Sequence, residues 1–262
     1  MSTSTQTSKE TNKITQPWYS VWGDRYNGNQ PPFYNREDLS WTKVMEDNWE
    51  LMRDELLQLI EDKPDRLQPY FINKTMAFPP RQWKTMGLYF WRYKIHRNCR
   101  RCPETLKIIK SIKHISSFSI SVLEAGSNIN PHQGDTDAII RCHLGLVVPG
   151  ALPDLGFQVG SKIKTWEVGK CLPFCDAITH TAWNHTNKRR IIINFDVVRP
   201  EFIHKKNRIC AHVLASSGIQ MLYPKFPSLK NKSGYWRKTI YHLIRVMTLI
   251  LLPLQRISGI GK

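Results

Sequence analysis

Two kinds of side chain in the middle of this sequence could do chemistry if folding gathered them: histidines, and arginines carried on strands. His132, His143, His180 and His185 are scattered through a segment of short apolar runs. Near neutral pH an imidazole is a neutral nitrogen ligand for a divalent metal or a carrier of protons. His132 follows Asn130-Pro131, and His180 precedes Thr181-Ala182-Trp183 48 residues later. Helical pairing is impossible at that separation, so only a tertiary fold can bring the two rings together. Taken one at a time, each reads first as a structural histidine.

The neighbours sharpen the reading. Alternate residues of a strand share a face. Arg141, His143 and Gly145 therefore point one way, as do Arg190, Ile192, Asn194 and Asp196, and as do Ser119 and Ser121. Charged groups on core strands are costly to bury without partners. An arginine fork matches a carboxylate in a bidentate way, so a dicarboxylate is one ligand that would satisfy them.

Strands must carry these groups. From Ile115 onward, ISSFSISVLEAG, AIIRCHLGLVVPG, LGFQVGSKIKTWEVGK, CLPFC and RRIIINFDVV are apolar runs parted by Gly, Pro, Asp or Asn. That texture predicts a sandwich or barrel. Upstream, Trp41, Val44, Met45, Trp49, Met52, Leu56 and Ile60 recur at helical steps between Asp38 and Asp62, and a second helix is predicted after Pro103. Downstream, Trp236, Ile240, Leu243, Ile244, Met247, Ile250, Leu251 and Leu254 form one stripe, with Arg237, Lys238, His242 and Arg245 off it. The uninterrupted apolar part, 246–252, falls far short of the roughly 20 residues a spanning helix needs. Such a helix either lies on an anionic membrane surface or packs on the domain.

The 262 residues carry a formal net charge of +17, which favours anionic partners. Eleven Lys or Arg and no Asp or Glu follow Glu201, so most of the excess sits away from the candidate chemistry. Nothing resembles a helix-turn-helix, a zinc finger or an aromatic RNA-binding motif, and nucleic acid is not an expected partner. Six cysteines are too sparse for a disulfide framework, and the polar N-terminus lacks the apolar centre of a secretory signal. The expected compartment is the cytoplasm, with peripheral contact to an anionic membrane through residues 236–257. Cys99 and Cys102 have metal or redox spacing but no second pair, and are expected to be structural thiols.

Several motifs stand in order along the chain. They are Pro131-His132-x-Gly134-Asp135-Thr136, Arg141-Cys142-His143-Leu144-Gly145-Leu146 and Trp166-Glu167-x-Gly169-Lys170. His180 with Trp183 behind it, Arg190 ten residues on and Phe195-Asp196-Val197 complete the series. Through them, residues 118–200 resemble the aspartyl/asparaginyl β-hydroxylase family of iron(II)- and 2-oxoglutarate-dependent dioxygenases. A weaker likeness through Trp41 to Leu56 and Cys102-Pro103-Glu104-Thr105 extends it over most of 35–200.

The resemblance implies a mainly β fold with flanking helices, a double-stranded β-helix or jelly-roll, cupin-like barrel. It implies Fe(II) held by His132 and His180, and 2-oxoglutarate held through its distal carboxylate by Arg190 with help from Ser121. Arg141 and His143 match residues at the other end of the cosubstrate. The acid usual in such metal sites would stand two residues after the first histidine, where this chain has Gly134. The β-hydroxylase branch uses water there, so water and Asp135 both remain open for that position.

The domain reading is a disordered tail over 1–16, a dioxygenase domain over 17–200 and a basic extension over 201–262 with its amphipathic helix. The expected substrate carbon is the β-carbon of an Asp- or Asn-type amino acid or peptide side chain. A lipid A acyl chain at the membrane surface is the alternative. A non-catalytic, basic jelly-roll binding module is the reading from a different class.

Overall fold

In the computed structural model, residues 16–22, 25–70, 76–223, 225–229 and 234–258 are described; of the tail expected over 1–16, only Gln16 falls among them. The first helices are α1 (Ser40–Asp47) and α2 (Trp49–Asp62). The strands β1 (Gln68–Pro69), β2 (Ala77–Phe78), β3 (Trp83–Phe90) and β4 (Tyr93–Lys94) follow, then helices α3 (His96–Cys99) and α4 (Pro103–Ser111). Next come β5 (Ile115–Leu123), β6 (Ser127–His132), β7 (Ile139–Val147), β8 (Leu155–Val159) and β9 (Lys162–Lys164). The strands end with β10 (Cys171–Phe174), β11 (His180–Asn184) and β12 (Arg190–Val198), before helices α5 (Lys206–Leu222) and α6 (Gly234–Ser258).

The strands form two antiparallel sheets. One runs β1-β3-β5-β12-β7-β10, with β4 paired to β3; the other runs β2-β6-β11-β8-β9. Neighbours distant in sequence alternate within each sheet, the arrangement of a jelly-roll barrel.

β12 shows how the sequence separates packing from chemistry. Ile191, Ile193, Phe195 and Val197 join Phe118, Ile120 and Leu144 on the outer face, under Met45, Met52, Leu56 and Ile109 of the helices. Ile192 falls instead in a second cluster with Phe157, Val159, Trp166, Phe174 and Ala182, between the sheets. The register puts Ser121 opposite Ile192, His143 opposite Asn194 and Arg141 opposite Asp196. The polar residues of β5, β7 and β12 therefore share the inner face.

The helix expected to run unbroken from Asp38 to Asp62 is interrupted at Asn48, whose φ of −118° and ψ of 14° leave the helical region. Its side-chain amide donates to the Val44 carbonyl at 2.8 Å, competing with the backbone ladder. α4 begins at Pro103 as expected, and the Glu55 carboxylate of α2 accepts the Glu104 and Thr105 backbone N–H groups. The Cys99 and Cys102 thiols are buried in the outer cluster. Burial pushes Cys102 up to about 12, so it stays protonated at neutral pH.

α5 is a helix that sequence periodicity does not announce. Ile209, Cys210, Ala211, Val213 and Ala215 are all buried, so apolar or small residues occupy most of its circumference and leave no single stripe. It packs against Trp91, Ile139, Val198 and Phe202, anchoring the basic extension on the barrel.

Phe195 has no solvent exposure, and its ring meets Trp41 at 5.4 Å and Phe118 at 6.2 Å between centroids. Phe195→Ala should destabilise the fold by about 3–5 kcal/mol, measured by urea unfolding followed by circular dichroism.

Candidate active site

His132 ends β6 and His180 begins β11, and the two are paired across the sheet. Their ring centroids are 4.2 Å apart. Each ring is tied through Nδ1, at 2.8 Å, to the carbonyl two residues earlier in its own chain: Asn130 for His132, Ile178 for His180. A carbonyl oxygen only accepts, so Nδ1 carries the proton and Nε2 is left with a lone pair. Fixing the tautomer through the second nitrogen is how a metal-binding imidazole is oriented. Burial lowers both pKa values, that of His132 to about 4, so both rings are neutral at pH 7.

Arg190 opens β12 with 1% exposure. Its guanidinium lies over the Trp166 ring, 4.7 Å from the centroid. Nε and Nη1 are buried and find no hydrogen-bond partner among the described residues. Burial lowers its pKa to about 9, the signature of a cation awaiting a counter-charge. Ser121, buried on the same sheet face, accepts the Trp83 indole N–H at 2.9 Å.

His143 has the opposite tautomer to the paired histidines. The Trp166 indole, a pure donor, points at its Nδ1 at 3.2 Å, so its proton sits on Nε2. Burial first, then Arg190 and Arg141, holds it neutral. His143 is thereby a hydrogen-bond donor through Nε2.

Arg141 differs from Arg190 in having carboxylates within the chain. Its Nε and Nη2 make a bidentate pair with Asp196 at 2.7 and 2.9 Å, and Nη1 donates to Asp176 Oδ1 at 2.6 Å. Three of its five N–H groups are thus engaged and two remain for a ligand. Of the two strand arginines, Arg190 is the one left without a counter-ion among the described residues.

Asp176 is the residue that sequence reasoning missed. It lies in the loop between β10 and β11, and its Oδ1 is 3.6 Å from His180 Nε2. Its Oδ2 is buried without a partner among the described residues. A Cβ at Gly134 would fall 1.6 Å from that Oδ2, so the missing side chain of Gly134 is the space Asp176 occupies. The Gly134 N–H also donates to the Asp176 carbonyl at 2.7 Å. Burial pushes the Asp176 carboxyl upward, against the pull of Arg141. The available signal was an acid between Cys175 and Ala177-Ile178, four residues before His180. Asp135 is raised to about 6 by burial, but Asp176 is the carboxylate the structure sets against Gly134. Among the described residues, no group of three or more His, Cys, Asp or Glu is arranged to hold a metal ion. The donors fit a different design: two free Nε2 atoms, an adjacent carboxylate and a partnerless buried arginine.

This geometry can be set beside known proteins. The model of the aspartyl/asparaginyl beta-hydroxylase family matches residues 46–200. An ornithine lipid ester-linked acyl 2-hydroxylase of Rhizobium tropici is 30% identical over 172 residues, covering 65% of this chain and 61% of that protein. The aspartyl/asparaginyl beta-hydroxylase of Mus musculus is 27% identical over 220 residues, covering 75% of this chain and 29% of that protein. The aspartate beta-hydroxylase domain-containing protein 2 of Homo sapiens is 32% identical over 136 residues, covering 48% of this chain and 36% of that protein. The chain thus spans less than two thirds of each of these relatives. With the family match running from Glu46 in α1 to Pro200, across both paired histidines, the Gly134 gap and Arg190, the chain belongs to the aspartyl/asparaginyl β-hydroxylase family.

Proposed function

We propose that this chain is an iron(II)- and 2-oxoglutarate-dependent hydroxylase. One observation carries the reading: two paired imidazoles, His180 buried and His132 half-buried, are fixed with Nε2 unprotonated in the same barrel as a buried arginine whose Nε and Nη1 lack partners among the described residues. In this reading His132 and His180 hold the metal. Arg190, with Ser121, binds the distal carboxylate of 2-oxoglutarate. His143, through its Nε2–H, and Arg141, through its two unused N–H groups, bind the 2-oxo acid end.

Asp176 takes the side that Gly134 leaves open. Its free Oδ2 is an acceptor for a water there, and its charge helps to balance a dication that two neutral imidazoles cannot. When bound, iron(II) and 2-oxoglutarate supply, with dioxygen, the oxidising power that turns C–H into C–OH while the keto acid becomes succinate and carbon dioxide. Phe157, Phe174 and Trp166 form an apolar wall around His143 and His180 that keeps out bulk water.

The family supports, as substrate carbon, the β-carbon of an Asp- or Asn-type amino acid or peptide side chain. A second reading, a lipid acyl chain, is supported by the rhizobial relative, whose name specifies an ester-linked acyl 2-hydroxylase. The experiment is succinate formation from 2-oxoglutarate with added iron(II), followed by mass spectrometry of peptide, amino acid and lipid extracts for oxygen-insertion products.

Four outcomes check the assignment. His132→Ala should abolish succinate formation. Arg190→Met, which keeps bulk but loses the fork, should raise the KM for 2-oxoglutarate by about a hundredfold or more, through two lost charge-assisted hydrogen bonds. A normal KM in that variant would remove Arg190 from the cosubstrate site.

Gly134→Ala should dislodge Asp176, because that carboxylate is pinned by Arg141 and cannot yield cheaply. Turnover should fall, with a stability loss of about 1–3 kcal/mol in urea unfolding. Full activity at unchanged stability would show that Asp176 has no part in the site.

The fourth concerns acid. The folded pKa of His132 is depressed from 6.5 to about 4, so the neutral ring is the native form. Its contribution to stability is complete above pH 6.5 and is lost as pH falls from there towards 4. His132→Gln should flatten that part of the pH–stability curve of the metal-free protein.

A further inference from the structure

The C-terminal helices carry two features that hydroxylation does not use. The first is an apolar stripe. Tyr241 and Leu252 turn the inner side of α6 into the protein, where they are 1% and 8% exposed. Leu243, Val246, Met247, Ile250 and Leu251, spaced by three and four residues on another side, are each 51–61% exposed. Five large apolar side chains in one helical stripe exceed the scattered hydrophobics of an ordinary surface. The helix expected either to pack on the domain or to face a membrane thus does the first with one side and leaves the other open.

The second feature is a cavity of about 440 Å³ beside that stripe, lined by Lys205, Arg208, His212, Arg245 and Leu249 among others, and by no Asp or Glu among the described residues. His212 acts there as a brace. Its Nε2 accepts from Arg245 Nη1 at 3.1 Å, its Nδ1 bonds the Tyr241 hydroxyl, and the Tyr19 ring stacks on it at 4.6 Å. Arg245 Nε is buried without a partner among the described residues. Leu249 of α6 lines the cavity and lies three residues, about one helical turn, from Val246, so the basic hollow adjoins the apolar stripe.

We propose that this face docks the protein on an anionic phospholipid bilayer, with the stripe of α6 entering the acyl boundary and the Lys205–Arg208–Arg245 cavity receiving a lipid phosphate. Charge decides the occupant. After Glu201 the chain has eleven Lys or Arg and no acid, complementary to an anionic leaflet. A second copy related by a two-fold axis would set these like charges against one another. The first fifteen residues offer only Met1 and Ile14 as apolar cover. No helix among the described residues is long and apolar enough to cross a membrane, so the contact is one of lying on the surface. This inference does not rest on the hydroxylase reading.

The test is sedimentation of the full chain with vesicles of phosphatidylglycerol and phosphatidylcholine in equal parts, against vesicles of phosphatidylcholine alone. Binding should favour the anionic vesicles at least about tenfold and weaken with salt. Met247→Glu should reduce it about tenfold or more, and Arg208→Glu about fivefold or more. Both residues are exposed, and thermal unfolding by circular dichroism checks that each variant folds. Absence of binding, equal binding to both vesicle types, or binding indifferent to Met247→Glu would overturn the proposal. So would a dimer in sedimentation velocity that Met247→Glu dissolves while vesicles go unbound.

Discussion

A guanidinium buried in an apolar interior without a carboxylate is among the costlier things a small fold can hold. Among the described residues Arg190 sits in that condition at the start of β12, supported by the face of Trp166 and with two of its nitrogens unmatched. Much of the barrel interior is organised around this imbalance. Trp166 carries the cation on its ring and hands its N–H to His143. Burial keeps His143 neutral, and the Trp166 donor leaves its proton on Nε2. The cation of Arg190, with donors unmatched among the described residues, has the chemistry to pair with a carboxylate.

The two arginines on the inner sheet face divide the electrostatics between them. Arg141 has its own acids, Asp196 and Asp176, and through them it links β7, β12 and the loop before β11. That network fixes Asp176 against Gly134 and close to His180. One arginine therefore holds the architecture of the site and the other holds its deficit. The outer face of the same strands carries none of this charge and is devoted to packing under α1, α2 and α4.

Much of this was legible in the sequence because strand alternation is a strict rule. Arg141 with His143, and Arg190 with Asn194 and Asp196, fall on one face by counting in twos, and the pairings of β12 with β5 and β7 bear this out. The pairing of His132 with His180 was legible only through motif resemblance, since 48 residues of intervening chain carry no local signal. Three features lay beyond such reading. Asn48 breaks a helix through one side-chain amide that competes for a carbonyl, and α5 hides because its apolar residues run all round it. Asp176 owes its place to a glycine forty-two residues away, and an absent side chain has no pattern of its own.

Both paired imidazoles take their orientation from a main-chain oxygen two positions earlier rather than from another side chain. Main-chain oxygens do not change with substitution. The aim of the two nitrogens can therefore be inherited unaltered while the surrounding wall drifts. The walls of the site can thus change without re-aiming the two imidazoles at its centre.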